Sequence, residues 1–259
     1  MSKPVPILLT VNSSTQISAN MQRIQLSGDE LERYPTHCAG GYIKLLFNHN
    51  GGTDLTGYSP ENRPVMRTYT IRSFDSAALT MDVDFVRHEC NDDKSGFAAK
   101  WAMNAKPGDT IHVGGPGTIK SHNLEADWFM MVADMTALPA LSAKVKELPS
   151  DAKGYAVIKV IDEADIVEIE APEGLEVLWI TGNDSLSDKV KSLTWLEGEV
   201  SVWSASEFDD MRALRQYFRN DKNVDRDNIY ISSYWKQGVT EDGHKVIKQE
   251  DAIEKESRA

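Results

Sequence analysis

A short polar segment, residues 67–72 (RTYTIR), carries the clearest chemistry of this sequence. In an extended strand Arg67 and Tyr69 would lie on one face, because successive side chains point to opposite sides. Thr68, Thr70 and Arg72 would lie on the other face. A guanidinium can bind two phosphate oxygens, a tyrosine ring can pack against a flat ring system, and a threonine hydroxyl can donate a hydrogen bond. A flavin nucleotide needs these three groups, so the segment indicates a flavin site. The alternative is an exposed strand with two arginines.

A second candidate anion site follows further along the chain. Val86 ends a predicted strand, His88 follows two residues later, and the stretch GFAAKW begins at Gly96. Small residues such as Ala98 and Ala99 at the start of a helix leave backbone N–H groups open to an anion. The segment is therefore a candidate for the second half of a pyrophosphate site. A helix that merely begins at a glycine, beside a structural histidine, is the alternative.

The elements that must position these residues are short strands separated by turns. Residues 96–104 are predicted to form a helix, and residues 48–64, rich in Gly, Asn and Pro, a long loop. Six short strands would form a small antiparallel β-barrel. β-Branched residues or polar–apolar alternation mark these strands at 5–11, 22–26, 42–47, 67–72, 79–86 and 110–113.

After residue 117 the pattern changes to strands alternating with helices. Strands are predicted at 128–133, 156–161, 177–180, 200–203 and 229–232, and helices at 136–148, 185–193 and 207–218. Such alternation favours a parallel sheet covered by helices, with a ligand crevice at the carboxyl ends of its strands. The polar tail from Thr240 onward is expected to fray. We therefore expect two domains, residues 1–122 and 123–259.

Composition excludes several classes of protein. Of 259 residues, 41% are hydrophobic and none of the apolar runs reaches the ~20 residues of a membrane span. Cys38 and Cys90 lie far apart, and the six histidines include no pair four residues apart, so neither a disulfide framework nor a bound metal is expected. We expect a cytoplasmic monomer that does not bind membranes.

The acidic charge is confined to the second half. Residues 1–122 contain 12 basic and 12 acidic side chains, whereas residues 123–259 contain 16 and 28, which gives the whole chain its net charge of -12. This distribution supports two domains. It also argues against nucleic-acid binding, which needs a basic surface.

Four separated stretches of the sequence, taken together, form a pattern that is more specific than any one of them. They are RPVMRTYTIR, DFVRHE followed by GFAAKWAMNAKPGD, DWFMMVADMTALPAL, and VWSASEFDDMRALRQYFRNDKNVDRDNIYISSYWKQGVTED. In order and spacing, from about residue 22 to residue 242, the sequence resembles the siderophore-interacting proteins, a family of flavin-dependent ferric-siderophore reductases.

The resemblance implies a two-domain flavin reductase of the ferredoxin-reductase type. An N-terminal antiparallel β-barrel would bind FAD, and a C-terminal α/β domain with a parallel sheet would be similar to NAD(P)-binding domains. The implied reaction is cytoplasmic reduction of Fe(III) in a siderophore, with electrons from NADPH, NADH or ferredoxin. Because the flavin carries the chemistry, no catalytic side chain is expected.

The resemblance also assigns residues to the site. The cofactor-binding set is Arg67, Thr68, Tyr69, Thr70, Val86, His88, Gly96, Ala98, Ala99, Asp134, Thr136, Ala137 and Trp235, with Tyr234 and Trp235 closing over the flavin. Ferric siderophores are often anionic, so the substrate-binding set is basic: Lys44, Arg72 and Lys236.

Three positions depart from the family pattern. Residues 133–135 read ADM where relatives commonly read GDE, and Ser206 stands where they carry a glycine. A serine side chain there could crowd a nicotinamide nucleotide, which questions that donor. Two other functions stay open: a flavin reductase that serves an oxygenase, and a siderophore-binding protein without turnover.

Overall fold

In the computed structural model, which describes residues 5–59, 61–87, 96–119 and 123–256, the first half of the chain forms a seven-stranded antiparallel sheet. Its strands are β1 (Ile7–Ser18), β2 (Met21–Ser27), β3 (Tyr42–Phe47), β4 (Val65–Thr70), β5 (Ser73–Asp75), β6 (Thr80–Val86) and β7 (Thr110–Gly117). The strand order is β4-β3-β7-β1-β2-β6-β5. The six expected strands are confirmed. The three-residue β5 is additional, too short to show a pattern.

The chain passes directly from one edge strand of this sheet to the other, as in a barrel. β4 and β5 are the edge strands, yet the N–H of Arg72, just after β4, donates to Asp82 O on β6 at 2.8 Å. Arg72 therefore lies outside β4, and the predicted strand at 67–72 is wrong at its end. Inside, apolar residues such as Leu9, Ile24 and Ile43 are fully buried. Helix α1 (Phe97–Asn104) adds its buried residues to the same core.

The second half forms a five-stranded parallel sheet of order β10-β9-β8-β11-β12. Its strands are β8 (Trp128–Asp134), β9 (Lys153–Lys159), β10 (Gly174–Ile180), β11 (Val200–Glu207) and β12 (Ile229–Trp235). Every residue of β8 is buried, as expected for a central strand covered on both faces. The helices are α2 (Leu138–Val145), α3 (Leu186–Ser192), α4 (Phe208–Gln216) and α5 (Glu241–Glu256).

The chain divides into two compact units, each built from several stretches. The first unit contains Met1–Lys120, Pro139–Glu147 and Ile161–Glu170, and the second contains the rest. The first unit therefore includes two segments that follow residue 122, Pro139–Glu147 and Ile161–Glu170, so a single boundary at that residue does not separate the two units.

Hydrogen bonds attach one of these segments to the barrel. Asp165 accepts from Ser18 Oγ at 2.7 Å, from Asn20 N at 2.6 Å and from Asn20 Nδ2 at 2.8 Å. Because Ser18 ends β1 and Asn20 lies in the turn before β2, the segment Ile161–Glu170 is fixed to that hairpin.

The prediction that the polar tail frays is wrong, because the chain continues there as helix α5. His244 is buried, and its Nε2 lies 2.9 Å from Ser233 Oγ on β12. Arg215 of α4 forms a two-pronged ion pair with Asp251 of α5, at 2.7 and 2.8 Å. Polar side chains with partners inside the second unit therefore hold the helix in place.

Candidate functional site

The first cluster of predicted residues lies where β4 meets the start of α1. In the register of β3 and β4, Arg67 is opposite Leu45 and Tyr69 is opposite Ile43. Directly opposed residues share a face of the sheet, so the predicted common face of Arg67 and Tyr69 is confirmed. The guanidinium carbon of Arg67 lies 5.8 Å from the ring centroid of Phe97, the first residue of α1.

The start of α1 is suited to an anion. Gly96 precedes it with φ 71°, a left-handed conformation that favours glycine. The first turn has no acidic residue, and Ala98 and Ala99 contribute only methyl groups. The first N–H groups of a helix have no partner within the helix and carry partial positive charge. The Arg67 guanidinium and this helix start are therefore two cationic features of one cluster.

Tyr69 supplies a flat ring beside this cluster. The ring is half-buried and packs on Phe85, with centroids 4.3 Å apart and planes inclined by 35°. Phe85 in turn contacts Trp101 of α1 at 5.8 Å. Thr68 is exposed on the opposite face, Thr70 is buried at the end of β4, and Val86 is half-buried at the end of β6. His88 lies outside the described residues.

These groups fit the parts of a flavin dinucleotide. A cation next to a helix start matches a pyrophosphate, and an aromatic ring two residues further along the strand matches a flat ring system. Residues Arg67, Tyr69, Gly96, Ala98 and Ala99 are thus brought together.

A second cluster lies at the carboxyl end of β8, within the second unit. The carboxylate of Asp134 accepts from Thr136 Oγ1 at 2.6 Å, Thr136 N at 2.9 Å, Ala137 N at 3.2 Å and Trp235 Nε1 at 2.7 Å. Burial raises the pKa of Asp134, and these donors oppose the rise. They also explain why α2 begins at Leu138 rather than at residue 136.

The second cluster presents one residue to solvent in particular. Asp134 and Ala137 are buried and Thr136 is half-buried, whereas Trp235 is 39% exposed. The Asp134 carboxylate is itself buried, and it fixes the orientation of the Trp235 indole, which reaches solvent. The neighbouring Tyr234 hydroxyl is buried, and burial raises its pKa well above the usual value.

The three predicted substrate cations are placed differently. Lys44 lies opposite Thr68 and therefore on the face of β3 and β4 away from Arg67 and Tyr69. Lys236 lies 2.8 Å from the Asp209 carboxylate and its ammonium is 5.1 Å from the centre of the Phe208 ring, so its charge already has partners.

Arg72 borders a cleft in the first unit. The cleft has a volume of about 390 Å³ and is lined by Arg72, Ser142, Lys146, Glu168, Ile169 and Glu170. Lys146 and Glu170 form an ion pair at 2.9 Å across it. The sequence gives no sign of this cleft, because its lining comes from three distant stretches.

The suspected obstruction at Ser206 is absent. Its side chain is fully buried, and Oγ donates to Glu207 O at 3.3 Å. A buried hydroxyl cannot crowd a ligand at the strand end, so the departure from glycine does not argue against a nicotinamide nucleotide.

The described residues contain no group of three or more His, Cys, Asp or Glu side chains placed to hold a metal ion. Among the described helices, none has the length and apolar character needed to cross a membrane.

Comparison with known proteins gives a consistent result. The family model described as a siderophore-interacting FAD-binding domain matches residues 10–120, and the one described as a siderophore-interacting protein matches residues 126–238. Ferric vibriobactin reductase ViuB of Vibrio cholerae is 31% identical over 254 residues, 92% of each chain. The NADPH-dependent ferric-chelate reductase of Escherichia coli is 25% identical over 88% of this chain and 91% of its own. The crystal structure of the siderophore-interacting protein SipS from Aeromonas hydrophila has a TM-score of 0.81 at 33% identity, covering 94% of this chain and 98% of its own.

Proposed function

The chain belongs to the siderophore-interacting protein family, and we propose on this basis that it is an FAD-dependent ferric-siderophore reductase. The structural observation that supports the proposal most strongly is the cluster of Arg67, Tyr69 and the start of α1. It lies within the stretch that matches the FAD-binding domain and combines cationic groups with an aromatic ring.

The side chains have distinct tasks in this proposal. Arg67 binds phosphate oxygens of FAD, together with the N–H groups at the start of α1, and Tyr69 packs against the flavin ring. Thr68, Thr70 and Val86 contribute to the strands on which the cofactor lies. FAD held by these residues would supply the redox chemistry, since a flavin can take up two electrons together and pass them on singly, as Fe(III) requires.

Trp235 is the proposed aromatic cover of the cofactor. Its indole is partly exposed, and the buried Asp134 carboxylate fixes its orientation by a 2.7 Å hydrogen bond. Asp134, Thr136 and Ala137 are therefore positioning residues, since the carboxylate that orients Trp235 is itself held by the N–H groups of Thr136 and Ala137.

Iron is the substrate of this reaction. Oxygen ligands hold Fe(II) less tightly than Fe(III), so reduction releases the metal from the siderophore. Arg72, at the edge of its cleft, and Lys44 are the proposed contacts for an anionic siderophore. Lys236 is the weakest of the three predicted contacts, because its ammonium lies 2.8 Å from the Asp209 carboxylate, whereas Arg72 is 3.9 Å from its own acidic partner, Asp84.

The electron donor is proposed to be a nicotinamide nucleotide, and the reaction cytoplasmic. The name of the Escherichia coli relative specifies NADPH, and the side chain of Ser206 is buried, so it presents no hydroxyl to a nucleotide at the strand end. Reduced ferredoxin is the alternative donor.

Stopped-flow spectroscopy tests the proposal. The purified protein should be yellow, and its flavin should be reduced by NADPH or NADH and reoxidised by anaerobic ferric catecholate or hydroxamate siderophores with stoichiometric Fe(II) captured by a chelator. A colourless protein that takes up no added FAD would overturn it.

Two other outcomes would assign a different function. Reoxidation no faster with ferric siderophore than with oxygen would indicate a reductase that serves an oxygenase. A bound siderophore that yields no Fe(II) after flavin reduction would indicate a binding protein.

A further inference from the structure

The loop between β3 and β4 holds two aromatic rings side by side. The rings of His49 and Tyr58 have centroids 5.3 Å apart and planes inclined by 42°. The N–H of His49 donates to the Tyr58 hydroxyl at 2.7 Å, and His49 Nε2 lies 3.3 Å from Asn62 Oδ1. His49 is exposed and Tyr58 is half-buried, so the pair presents ring surface to solvent.

This loop has a defined shape at its start. Asn48 Oδ1 accepts from the N–H groups of Asn50 and Gly52, both at 2.9 Å. The N–H of Asn48 also donates to Gly52 O at 2.8 Å. His49 therefore sits in a turn whose backbone is fixed by these bonds and by a further one from Gly51 N to Asn48 O at 3.0 Å.

The turn packs against the helix start beside Arg67. Gly51 has φ +84°, and a Cβ added there would fall 2.8 Å from Cδ1 of Phe97. Only a glycine allows the turn to approach that ring so closely. Because Arg67 lies over the same ring, the turn, the start of α1 and the Arg67 guanidinium form one contiguous cluster.

The direction of β4 orders these groups along a line. Tyr69 lies toward the carboxyl end of β4, Arg67 is about 7 Å before it, and the loop joins the amino end at Val65. A dinucleotide with its flavin at Tyr69 and its pyrophosphate at Arg67 would extend its adenosine toward the loop.

We propose that the His49–Tyr58 pair binds the adenine of FAD. Adenine is a flat π system that stacks on aromatic side chains. The pair is the exposed aromatic surface of the loop that reaches the proposed pyrophosphate site, and the assignment rests on the proposed FAD-dependent function. It makes this loop the element that distinguishes FAD from FMN, which lacks the adenosine.

Flavin affinity provides the test. Dissociation constants for FAD and FMN are measured by flavin fluorescence on the full chain after removal of bound flavin. His49→Ala with Tyr58→Ala should raise the Kd for FAD about tenfold, the size of effect typical of lost base stacking, and leave the Kd for FMN unchanged. Tyr58→Phe keeps the ring and should retain most of the FAD affinity.

The outcomes separate the proposal from its premise. Equal weakening of FAD and FMN would show that the pair only shapes the loop, and an unchanged Kd for FAD would place adenine elsewhere. Either result overturns the adenine site and leaves the reductase function standing. A wild-type chain that binds neither flavin overturns the reductase function and the adenine site with it.

Discussion

The indole N–H of Trp235 donates to the carboxylate of Asp134 at 2.7 Å, joining residues 101 positions apart in the chain. The bond links the carboxyl end of β8 to that of β12, the last strand of the parallel sheet. It gives a buried carboxylate one of its donors and gives an exposed aromatic ring a fixed orientation.

Replacing Trp235 by Phe should destabilise the protein in a pH-dependent way. The variant removes a donor from the Asp134 carboxylate and so raises its pKa further. We expect a loss of about 1–2 kcal/mol in unfolding free energy at pH 7, and a smaller loss at pH 4.5, where the carboxyl can protonate. Denaturant unfolding at both pH values measures it.

Trp203→Phe is the matched control. Among the described residues the Trp203 indole nitrogen has no hydrogen-bond partner, so its replacement changes packing alone and should cost the same at both pH values. An equal cost of Trp235→Phe at pH 7 and pH 4.5 would contradict the role of the carboxylate.

Arg67→Ala should lose FAD during purification. Charge-assisted hydrogen bonds contribute about 1.5–3 kcal/mol each, so removing the guanidinium should weaken FAD binding at least about tenfold. The ratio of flavin to protein absorbance gives the measurement. Arg33→Ala is the control, since exposed Arg33 bonds to Val5 O, and it should keep its flavin. Full retention of FAD by Arg67→Ala would count against the phosphate role.

Charge changes at the proposed substrate contacts should depend on the charge of the iron complex. Lys44→Glu and Arg72→Gln should each raise KM for an anionic ferric siderophore several-fold more than for a neutral iron chelate, because only the anion gains from the cations. Lys236→Gln should have a smaller effect, since Asp209 already pairs with Lys236. Steady-state kinetics with both iron complexes measure these changes in KM, and Lys106→Glu, at an exposed position, is the control. Equal effects on the two substrates would show that these cations do not contact the siderophore.

Asp165→Asn should destabilise the first unit by about 1–3 kcal/mol. The carboxylate accepts hydrogen bonds on both oxygens, and the NH₂ group of asparagine would place a donor against donors at one of them. Burial tends to raise the pKa of Asp165, but the donors from Asn20, Ser18 and Asp162 outweigh it and hold the pKa below its usual value. The stabilisation is therefore full above about pH 4 and falls as pH drops through the folded-state pKa. Unfolding curves from pH 7 to pH 3 measure it; a parallel loss at all pH values would oppose the ionic role. Asp162→Asn, at an exposed cap, is the control.

His244 should make stability fall on mild acidification. Burial, with Lys248 nearby, lowers the pKa of His244 to about 4, so between about pH 6.5 and pH 4 the unfolded chain binds a proton that the folded chain does not. We expect a loss of about 2–3 kcal/mol over that range, which His244→Gln should remove. Thermal unfolding at several pH values checks this, and identical pH profiles for the two proteins would refute it.

Periodicity was sufficient to predict most strands and the common face of Arg67 and Tyr69, because alternation in a strand fixes side-chain direction. The alternation of strands and helices likewise predicted the parallel sheet. Local sequence also predicted α1, since Gly96 precedes small, helix-forming residues.

Contacts between distant residues could not be predicted in the same way. Nothing near Asp165 indicates that Ser18 and Asn20 would donate to it, and nothing near Asp209 indicates that it would pair with Lys236. Helix α5 was missed because its polar residues look solvated until Ser233 and Arg215 are placed beside them.

The first unit is built from three separate stretches of the chain, so its folding depends on the order in which these stretches are synthesised. The hairpin that contains Ser18 and Asn20 can form its hydrogen bonds to Asp165 only after residue 165 has been synthesised. By then the first strands of the other unit have already left the ribosome. At about 5–20 residues per second, some seconds pass before the barrel can acquire that partner. A chain ending at residue 122 would therefore hold every strand of the barrel and yet lack the carboxylate that ties down its first hairpin.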